Sequence, residues 1–371
     1  MMAGIYAHIP FCKSRCVYCG FFSTTSLEKR SVYVDAVVEE LKRRRHYLAG
    51  EPIDTIYLGG GTPSVLPLAQ TGRILDAIYN IYNVREGAEV TLESNPDDLN
   101  PDFLHDLKSL GVNRLSMGVQ TFDDARLAFL HRRHSARQAV DAVRSAVQAG
   151  FQNISIDLMF GFPMQTLDDW KCDVQKALSL DVQHISAYSL MYEEGTRLQQ
   201  MLEAGTIAEL DEEASLQMYE YLIDTLSAAS FRHYEISNFA LPGKESRHNS
   251  GYWQGVPYLG VGAGAHSYDG RNRHYNADSL ASYLAGEPLV EEQLTENERY
   301  DEFVFTGLRT SQGLNLTLLE QRFGAASLRY CLHNAQPHLR SGRLALSDNT
   351  LRLTRQGLFV SNDIMSDLMQ V

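Results

Sequence analysis

Short apolar segments alternate with longer amphipathic segments along the first 230 residues. The apolar segments predict six strands, at residues 5–9, 55–58, 89–92, 114–119, 154–159 and 184–190. The amphipathic segments have apolar positions at helical spacing and predict helices at residues 32–48, 68–82, 101–111, 136–149, 167–180 and 216–229. Since the strands show little polar alternation, the pattern indicates a parallel sheet covered by helices.

Units of this kind form a doubly wound sheet or a full or partial barrel, and both place the active site at the carboxyl ends of the strands. The chemically distinctive residues of the chain follow strands. They are three cysteines after the first strand, residues 59–63 (Gly-Gly-Gly-Thr-Pro) after the second, 93–96 after the third, Gln120 after the fourth and 161–163 after the fifth. We therefore expect them to meet at one edge of the sheet.

The pattern changes after about residue 290. Apolar spacing predicts helices at 296–308, at 316–323 and, as a short third helix, at 335–339, with a last helix at 362–369. Two alternating segments, 344–346 and 351–353, flank a polar turn and predict a hairpin. Helices followed by a hairpin are typical of a winged-helix-like module.

Composition narrows the class of protein. The 371 residues include 33 Lys and Arg against 46 Asp and Glu, a formal net charge of −13, which argues against general binding to a nucleic-acid backbone. No apolar run approaches the roughly 20 residues of a membrane-spanning helix, and none is typical of a secretory signal. The five cysteines are an odd number, and three of them fall within eight residues. This excludes a secreted disulfide framework and indicates a reducing compartment.

The three clustered cysteines are Cys12, Cys16 and Cys19, separated by three and then two residues. A closed structural zinc site needs four ligands, so three thiolates on one loop leave a coordination position open. Soft thiolates suit an iron–sulfur cluster or zinc, and a zinc site completed by His8 or a carboxylate stays open at this point. The other two, Cys172 and Cys331, lie in apolar helical contexts and are predicted to be buried thiols.

This spacing, with the aromatic Tyr18 before the third cysteine and a strand before the first, resembles the radical S-adenosylmethionine (SAM) superfamily. The resemblance implies that the three cysteines hold a 4Fe-4S cluster whose fourth iron is chelated by SAM, and that one-electron cleavage of SAM gives a deoxyadenosyl radical. It also implies a partial parallel (β/α) barrel followed by a winged-helix-like α+β domain. The expected segments are a barrel core at 1–230, a barrel extension at 231–290 and the C-terminal domain at 291–371.

A SAM-binding set follows from the resemblance to the oxygen-independent coproporphyrinogen dehydrogenase branch of this superfamily. Its members in this chain are Tyr6, Tyr18, Gly60, Gly61, Thr62, Glu93, Gln120, Arg132 and Asp157. Carboxylates suit ammonium and hydroxyl groups, and a guanidinium suits a carboxylate. The competing interpretation makes the two acids ordinary end-of-strand residues and Arg132 a surface cation beside Arg133. Gly260, Gly262 and Gly264 either edge the adenosine pocket or allow tight strand packing.

Two features separate branches of the superfamily. The first is the segment around the cysteines: the dehydrogenase has a fourth cysteine where this chain has Phe21, and it has a longer segment before its cysteines. In the same loop, relatives usually have Asp where this chain has Gly20. The string His-Asn-Ser-Gly-Tyr-Trp at 248–253 is similar to the signature of a family of heme chaperones. That resemblance implies heme binding by His248, Asn249, Tyr252 and Trp253, because imidazole ligates heme iron and aromatic rings offer flat apolar surface.

An alternative treats His248 as a loop residue, with Asn249 capping a turn and Trp253 in the core. His131, His134, His266 and His274 are rival heme ligands.

The function implied is that of a cytoplasmic heme chaperone that meets membranes only through its clients. It would bind heme and transfer it to client hemoproteins, respiratory ones among them, with a low-potential electron donor and a homodimer as further expected partners. One alternative is an enzyme, either coproporphyrinogen III dehydrogenase or a radical SAM enzyme that opens the heme ring. Another is a zinc-binding or nucleic-acid-binding module, which the acidic charge balance disfavours.

Overall fold

A computed structural model describes residues 3–370. The strands of its large sheet are β1 (Ala3–Ile9), β2 (Ile53–Gly60), β3 (Val84–Ser94), β4 (Arg114–Gln120), β5 (Ile154–Phe160), β6 (His184–Ser189), β7 (Arg232–Glu235), β8 (Asn238–Ala240), β9 (Tyr258–Val261), β10 (His266–Tyr268), β11 (Asn272–Tyr275) and β12 (Val290–Gln293). A small second sheet contains β13 (Leu314–Asn315), β14 (Leu344–Ser347) and β15 (Thr350–Leu353).

Within residues 3–370, fourteen α-helices connect and cover these strands. They are α1 (Arg30–Arg43), α2 (Leu68–Ile81), α3 (Pro101–Ser109), α4 (Asp124–Phe129), α5 (Ala136–Gln148), α6 (Leu167–Leu178), α7 (Arg197–Glu203), α8 (Glu212–Ala228), α9 (Arg247–Trp253), α10 (Leu280–Leu284), α11 (Glu296–Arg309), α12 (Leu316–Arg340), α13 (Arg355–Leu358) and α14 (Ser361–Leu368). Short 3₁₀ turns span Leu27–Lys29, Pro63–Val65 and Pro96–Asp98.

The first six strands are all parallel and adjacent in chain order. Strands β1, β4 and β5 are almost wholly buried, as an apolar strand with helices on its outer face must be, whereas β3 is exposed at its start and β6 at its end. The helices begin where the sequence supplies caps: Ser135 and Gln138 form a capping box at α5, and Thr166 and Asp169 form one at α6. The predicted strands and their helices are therefore confirmed, with ends displaced by a few residues.

The sheet extends beyond both ends of this parallel run. Its full order is β12-β11-β10-β9-β1-β2-β3-β4-β5-β6-β8-β7, so it remains open rather than closing into a complete barrel. Strand β9 pairs parallel to β1, whereas the pairs that β10, β11 and β12 make are antiparallel. The expected partial parallel (β/α) barrel is thus confirmed. The antiparallel strands at its two margins were not predicted, because each has only three or four residues.

The C-terminal residues have a separate apolar core. It gathers residues of α11, α12, α14 and the small sheet β13-β15-β14, which includes the predicted hairpin. The predicted helix at 316–323 ends at Gly324, where the helical span Leu316–Arg340 is interrupted, and the predicted third helix at 335–339 lies in the helical part that follows and begins earlier than predicted. At Gly324 the backbone has φ 83° and ψ 169°, a conformation that glycine adopts without steric cost.

The C-terminal module is fastened to the barrel margin by polar contacts. The Arg309 side chain lies 3.2 Å from the Glu235 carboxylate, and the backbone N–H groups of Ile236 and Ser311 donate across the same junction to Arg309 and Tyr234. The proposed segment boundaries near residues 230 and 290 stay predictions, and residues 1–2 and 371 of the outer segments lie outside the described residues. Within residues 3–370, no helix is long and apolar enough to cross a membrane.

Candidate functional site

A cavity of about 390 Å³ opens at the carboxyl ends of the parallel strands. All three clustered cysteines line it. So do eight of the nine residues predicted to bind SAM, namely Tyr18, Gly60, Gly61, Thr62, Glu93, Gln120, Arg132 and Asp157. The rule that parallel strands present their site at the carboxyl edge therefore located this cavity from the sequence.

The cysteine loop follows β1 directly. Cys12 is anchored by its backbone N–H, which donates to the Thr24 carbonyl, and its sulfur lies 3.5 Å from Thr62 Oγ1. Burial is the main cause that raises the pKa of the Cys12 and Cys19 thiols, so each thiol keeps a proton that a bound metal would displace. Among the described residues, no three His, Cys, Asp or Glu side chains form a group that would hold a single metal ion.

The turn after β2 brings backbone close to the cysteine loop. Gly60 has φ 110°, and a Cβ there would come within 2.5 Å of the His8 ring. A Cβ on Gly61 would come within 2.8 Å of the Pro10 carbonyl carbon. The glycines are therefore required for this close approach, and they leave the backbone itself as the cavity wall.

Two acids face each other across the cavity, at the end of β3 and in the middle of β5. Glu93 accepts hydrogen bonds from the Tyr57 hydroxyl at 2.7 Å and from the Gly60 N–H at 3.0 Å. Burial nevertheless raises the pKa of Glu93 to about 7. Burial likewise raises the pKa of Asp157 to about 6, against the hydrogen bond from Ser186. A cationic or hydroxyl-bearing ligand would restore the ionised form of both.

Arg132, rather than Arg133, points into the cysteine region. Its Nη2 donates 2.6 Å hydrogen bonds to Asn95 Oδ1 and to the Gly118 carbonyl, and its Nη1 lies 3.4 Å from the Cys16 sulfur. Its Nε is buried without a partner. Arg133 instead pairs with Asp97 at 2.7 Å. The structure thus distinguishes two neighbours that the sequence left in competition.

One predicted SAM residue does not reach the cavity. Tyr6 lies within the barrel, with its hydroxyl 3.0 Å from His8 Nδ1. His8 Nε2 lies 3.1 Å from the Phe22 carbonyl, so the residue considered as a fourth zinc ligand has both ring nitrogens engaged. Gly260, Gly262 and Gly264 do not line the cavity either, which leaves tight strand packing as their role.

Several cavity residues were missed. Asn95 follows β3 in the segment singled out from the sequence, but only the structure shows its contact with Arg132. Ser189, Met191 and Glu193 line the cavity at and after the end of β6. The carboxyl-end rule that found the other loops could have found these three, because Ser189 ends β6 and the other two follow it. Phe21 stands on the rim and is 70% exposed.

The segment of the His-Asn-Ser-Gly-Tyr-Trp string is helical, so its interpretation as a loop is wrong. It forms α9, capped by the Ser246 side chain, which accepts from the Asn249 N–H. The backbone N–H groups of Arg247 and His248 donate to the two carboxylate oxygens of Glu89 at 3.1 and 3.0 Å. An acid at a helix N-terminus stabilises it, and here the acid belongs to β3.

His248 lies inside the barrel and is 4% exposed. Its Nδ1 is 2.8 Å from Thr55 Oγ1 and its Nε2 is 2.8 Å from the Tyr252 hydroxyl. Burial lowers the pKa of His248 to about 3, so the ring is neutral at physiological pH. Ligation of an iron by this ring in the conformation described would require one of the two hydrogen bonds to be given up.

Tyr252 and Trp253 reach the other side of α9, where they line a second and larger cleft. Trp253 is only partly buried, with Arg309 stacked on its indole at 4.8 Å, so its placement in the core is wrong. None of the rival histidines lines this cleft, and His131 lines the cysteine cavity instead. Cys331 is buried as predicted, but Cys172 is exposed, because it lies on a face of α6 that no other element covers.

Comparisons with known proteins agree on the family. Residues 6–176 match the family model of the radical SAM superfamily, and residues 294–360 match the model of the HemN C-terminal domain. The heme chaperone HemW of Lactococcus lactis subsp. lactis is 38% identical over 322 residues, which cover 86% of this chain and 84% of that protein. The heme chaperone HemW of Bacillus subtilis is 34% identical over 372 residues, covering 98% of each.

Two further matches extend the likeness. The mitochondrial radical S-adenosyl methionine domain-containing protein 1 of Bos taurus is 32% identical and covers 99% of this chain and 87% of its own length. Among solved structures, coproporphyrinogen III oxidase (HemN) of Escherichia coli superposes with a TM-score of 0.87 at 23% identity, covering 99% of this chain and 90% of that one. At this identity the superposition establishes a common fold.

Proposed function

The chain belongs to the HemW family within the radical SAM superfamily, and from this membership we propose that it is a heme chaperone, which binds heme and passes it to client hemoproteins. The observation that carries the proposal is identity of 34–38% to proteins named heme chaperones over most of the chain. The retained His-Asn-Ser-Gly-Tyr-Trp string and its place on α9 support it.

The residues around the first cavity fit a 4Fe-4S cluster, which membership of this superfamily implies. Cys12, Cys16 and Cys19 supply three soft ligands on one loop and leave the fourth iron free. The Arg132 guanidinium beside Cys16 offsets the negative charge of such a cluster and its thiolates. When bound, the cluster and SAM supply one-electron chemistry at this edge of the barrel.

The cavity beside the cysteines suits the polar parts of SAM. Glu93 and Asp157 accept from ammonium or ribose hydroxyl groups, and the backbone at Gly60 and Gly61 lies open because no Cβ covers it. Arg132 and Gln120 supply donors to a carboxylate. Tyr6 acts on this set only indirectly, because its ring contacts the ring of Tyr57 and does not line the cavity.

We assign heme binding to the segment 248–253. Tyr252 and Trp253 present flat aromatic surface to solvent-accessible space, which suits a porphyrin ring. Asn249 lies in the first turn of the same helix. Iron ligation by His248 would accompany a movement of α9 away from Thr55, and spectra of a His248 variant test it below.

Phe21 favours the chaperone over the dehydrogenase of the same superfamily. It occupies the position of that enzyme's fourth cysteine, and its side chain projects 70% exposed at the cavity rim. An exposed phenyl ring supplies neither a ligand nor a proton, so this position adds no chemistry to the cavity.

The test is anaerobic reconstitution of the full chain with iron and sulfide, followed by titration with heme. We expect about four irons and four labile sulfides per chain, and saturable heme binding to the same sample. A chain that holds zinc without labile sulfide, or that binds no heme, contradicts the proposal. Anaerobic conversion of coproporphyrinogen III to protoporphyrinogen IX would replace the chaperone with the enzyme.

A further inference from the structure

The two ends of the barrel carry different sites. The cysteine loop follows the carboxyl end of β1, whereas α9 is attached near the amino ends of the strands, through Thr55 of β2 and Glu89 of β3. Gly60 lies five residues beyond Thr55 along β2, which is about 16 Å of extended chain at roughly 3.3 Å per residue. A ligand on the outer face of α9 is therefore far from the SAM cavity.

The cleft beyond α9 has a volume of about 1490 Å³. Typical small-molecule sites measure about 300–1,000 Å³, so this cleft admits a ligand of porphyrin size. Aromatic residues of the barrel margin form one wall, and residues of α11 and α12 form the other. These residues are Tyr252, Trp253, Tyr258 and Tyr268 on the first wall and Phe303, Phe305 and Leu318 on the second.

The cleft carries guanidinium groups that can donate to an anion. Of its five arginines, Arg273 pairs with Glu302 at 2.6 Å, and within residues 3–370 the other four make no ion pair. These four are Arg232, Arg299, Arg322 and Arg352. Among the acids, Glu298 caps α11 and Asp301 accepts from the Gln370 N–H. Like the four arginines, the acids Glu245, Glu292, Glu298 and Asp301 make no ion pair within residues 3–370, so the formal charges that line the cleft balance. Arg299 donates to the Thr295 carbonyl and Arg352 to Ser347 Oγ, and the guanidinium N–H groups outside these bonds are open to an anion.

The indole N–H of Trp253 is a donor without an acceptor among the described residues. Its Nε1 is buried and has no hydrogen-bond partner, although Arg309 covers the ring face at 4.8 Å. A buried donor without a partner costs free energy unless a ligand or water accepts from it. Heme combines a flat apolar ring with two propionate groups, so it matches both the aromatic walls and the unpaired donors of the cleft.

We propose that heme is held in the cleft between α9 and the C-terminal module, with its ring against Trp253 and its propionates on the unpaired arginines. The proposal rests on the heme-chaperone function proposed above and assigns its site. His248 is then a positioning residue, because its hydrogen bonds to Thr55 and Tyr252 fix α9 as a wall of the cleft. Heme held there lies beyond the reach of chemistry in the SAM cavity and is carried unaltered.

The experiment compares heme affinity of the cluster-loaded full chain with that of charge-reversed variants. We expect Arg322→Glu combined with Arg352→Glu to raise the heme Kd at least tenfold while SAM affinity and thermal stability stay unchanged. The matched control is Arg137→Glu on α5, whose side chain is 91% exposed and lies outside the cleft; its heme Kd should stay within twofold.

His248→Gln distinguishes positioning from ligation, because the amide retains hydrogen-bonding atoms but does not replace imidazole on iron. We expect its heme Kd and Soret band to stay close to those of the wild type. The proposed heme site in the cleft is contradicted if the arginine reversals leave heme binding unchanged, or if His248→Gln abolishes heme binding and changes the Soret band. Either result leaves the proposed chaperone function standing. A wild-type chain that binds no heme overturns both.

Discussion

The ring of Tyr57 stacks on the ring of His248, with centroids 5.0 Å apart and planes inclined by 26°. The same tyrosine donates a 2.7 Å hydrogen bond from its hydroxyl to Glu93. A single side chain thus touches the wall of the SAM cavity and the interior face of α9. The two proposed sites share a rigid aromatic boundary, although their openings lie at opposite ends of the barrel.

SAM affinity should depend on the ionisation of Glu93. Burial raises the pKa of Glu93 to about 7, and the ionised form is the one that accepts from ammonium and hydroxyl groups. SAM binding should therefore weaken as pH falls, by about tenfold between pH 8 and pH 6, since a group with a pKa near 7 changes from about nine-tenths to one-tenth ionised. Calorimetry on the cluster-loaded chain measures this.

Two variants check the assignment to Glu93. Tyr57→Phe removes a donor that favours the carboxylate, so the midpoint of the pH profile should move upward. Glu93→Gln should bind SAM weakly and with a profile that is flat above pH 6.5. A profile that keeps its wild-type midpoint in Glu93→Gln would assign the titration to another group.

Substitution of Arg132 should affect SAM affinity much more than substitution of Arg133. Arg132 contacts Asn95 and Cys16, so Arg132→Met should lower SAM affinity at least tenfold and reduce the iron retained by the cluster. Arg133→Met loses partly buried ion pairs with Asp97 and Asp98 at the cavity margin, but no contact with a cysteine, and should lower SAM affinity less than Arg132→Met does. Equal effects of the two substitutions would mean that Arg132 acts through general charge alone.

Gly20 and Glu193 should behave as a coupled pair. A Cβ on Gly20 would collide with the Glu193 carboxylate, which lines the cavity from the loop after β6. Gly20→Asp would bring two carboxylates together and should lower the cluster content of the reconstituted chain. Adding Glu193→Ala to that variant should restore it, as measured by iron and sulfide per chain. Independent effects of the two changes would show that the residues do not interact.

The neutral His248 should make the fold sensitive to acid. Its folded-state pKa of about 3 lies below the ordinary value near 6.5, so between these values the unfolded chain binds a proton that the folded chain excludes. The free energy of unfolding therefore falls with decreasing pH, by roughly 1 kcal/mol per pH unit for one such group.

His248→Gln should reduce the slope between pH 6 and pH 4 in urea titrations by that one group's share, because burial also lowers the pKa of His134 and His184 and their shares stay. His46→Gln, at an exposed position, should leave the slope unchanged. The sign is opposite to that expected from a histidine stabilised in its charged form, for which stability would fall with rising pH. An unchanged slope in His248→Gln would show that the ring is not held neutral.

Heme and cluster should be well separated. With heme in the cleft and the cluster on the cysteine loop, the iron anomalous signal of crystals of the cluster-loaded, heme-bound chain should place the heme iron at least about 16 Å from the cluster, the length of strand between α9 and the cavity edge. A separation near contact would place the heme at the mouth of the SAM cavity, beside Phe21.

Whether a feature of the fold or of the sites could be predicted from the sequence depends on how close together in the chain the residues that form it lie. The cysteine loop and Glu93 follow buried strands, and parallel strands bring their carboxyl ends together, so the cavity could be located from the sequence. Helix α9 could not, because Ser250 and Gly251 interrupt any apolar period and its first N–H groups are satisfied by Glu89, some 158 residues earlier in the chain. The cleft depends on the C-terminal module meeting Trp253, a contact that no local pattern encodes.

Heme transfer to an acceptor protein is the decisive test of the claim that this chain is a heme chaperone. Cluster-loaded protein carrying heme is mixed anaerobically with SAM and an apo-hemoprotein acceptor, and the acceptor's spectrum and the extracted pigment are followed. We predict that the acceptor gains its native Soret band and that the extracted heme is chemically unaltered, with transfer at least tenfold slower or absent for the Arg322→Glu, Arg352→Glu variant because it binds less heme. Retention of heme by the donor, or recovery of an opened or otherwise modified ring, would contradict the claim.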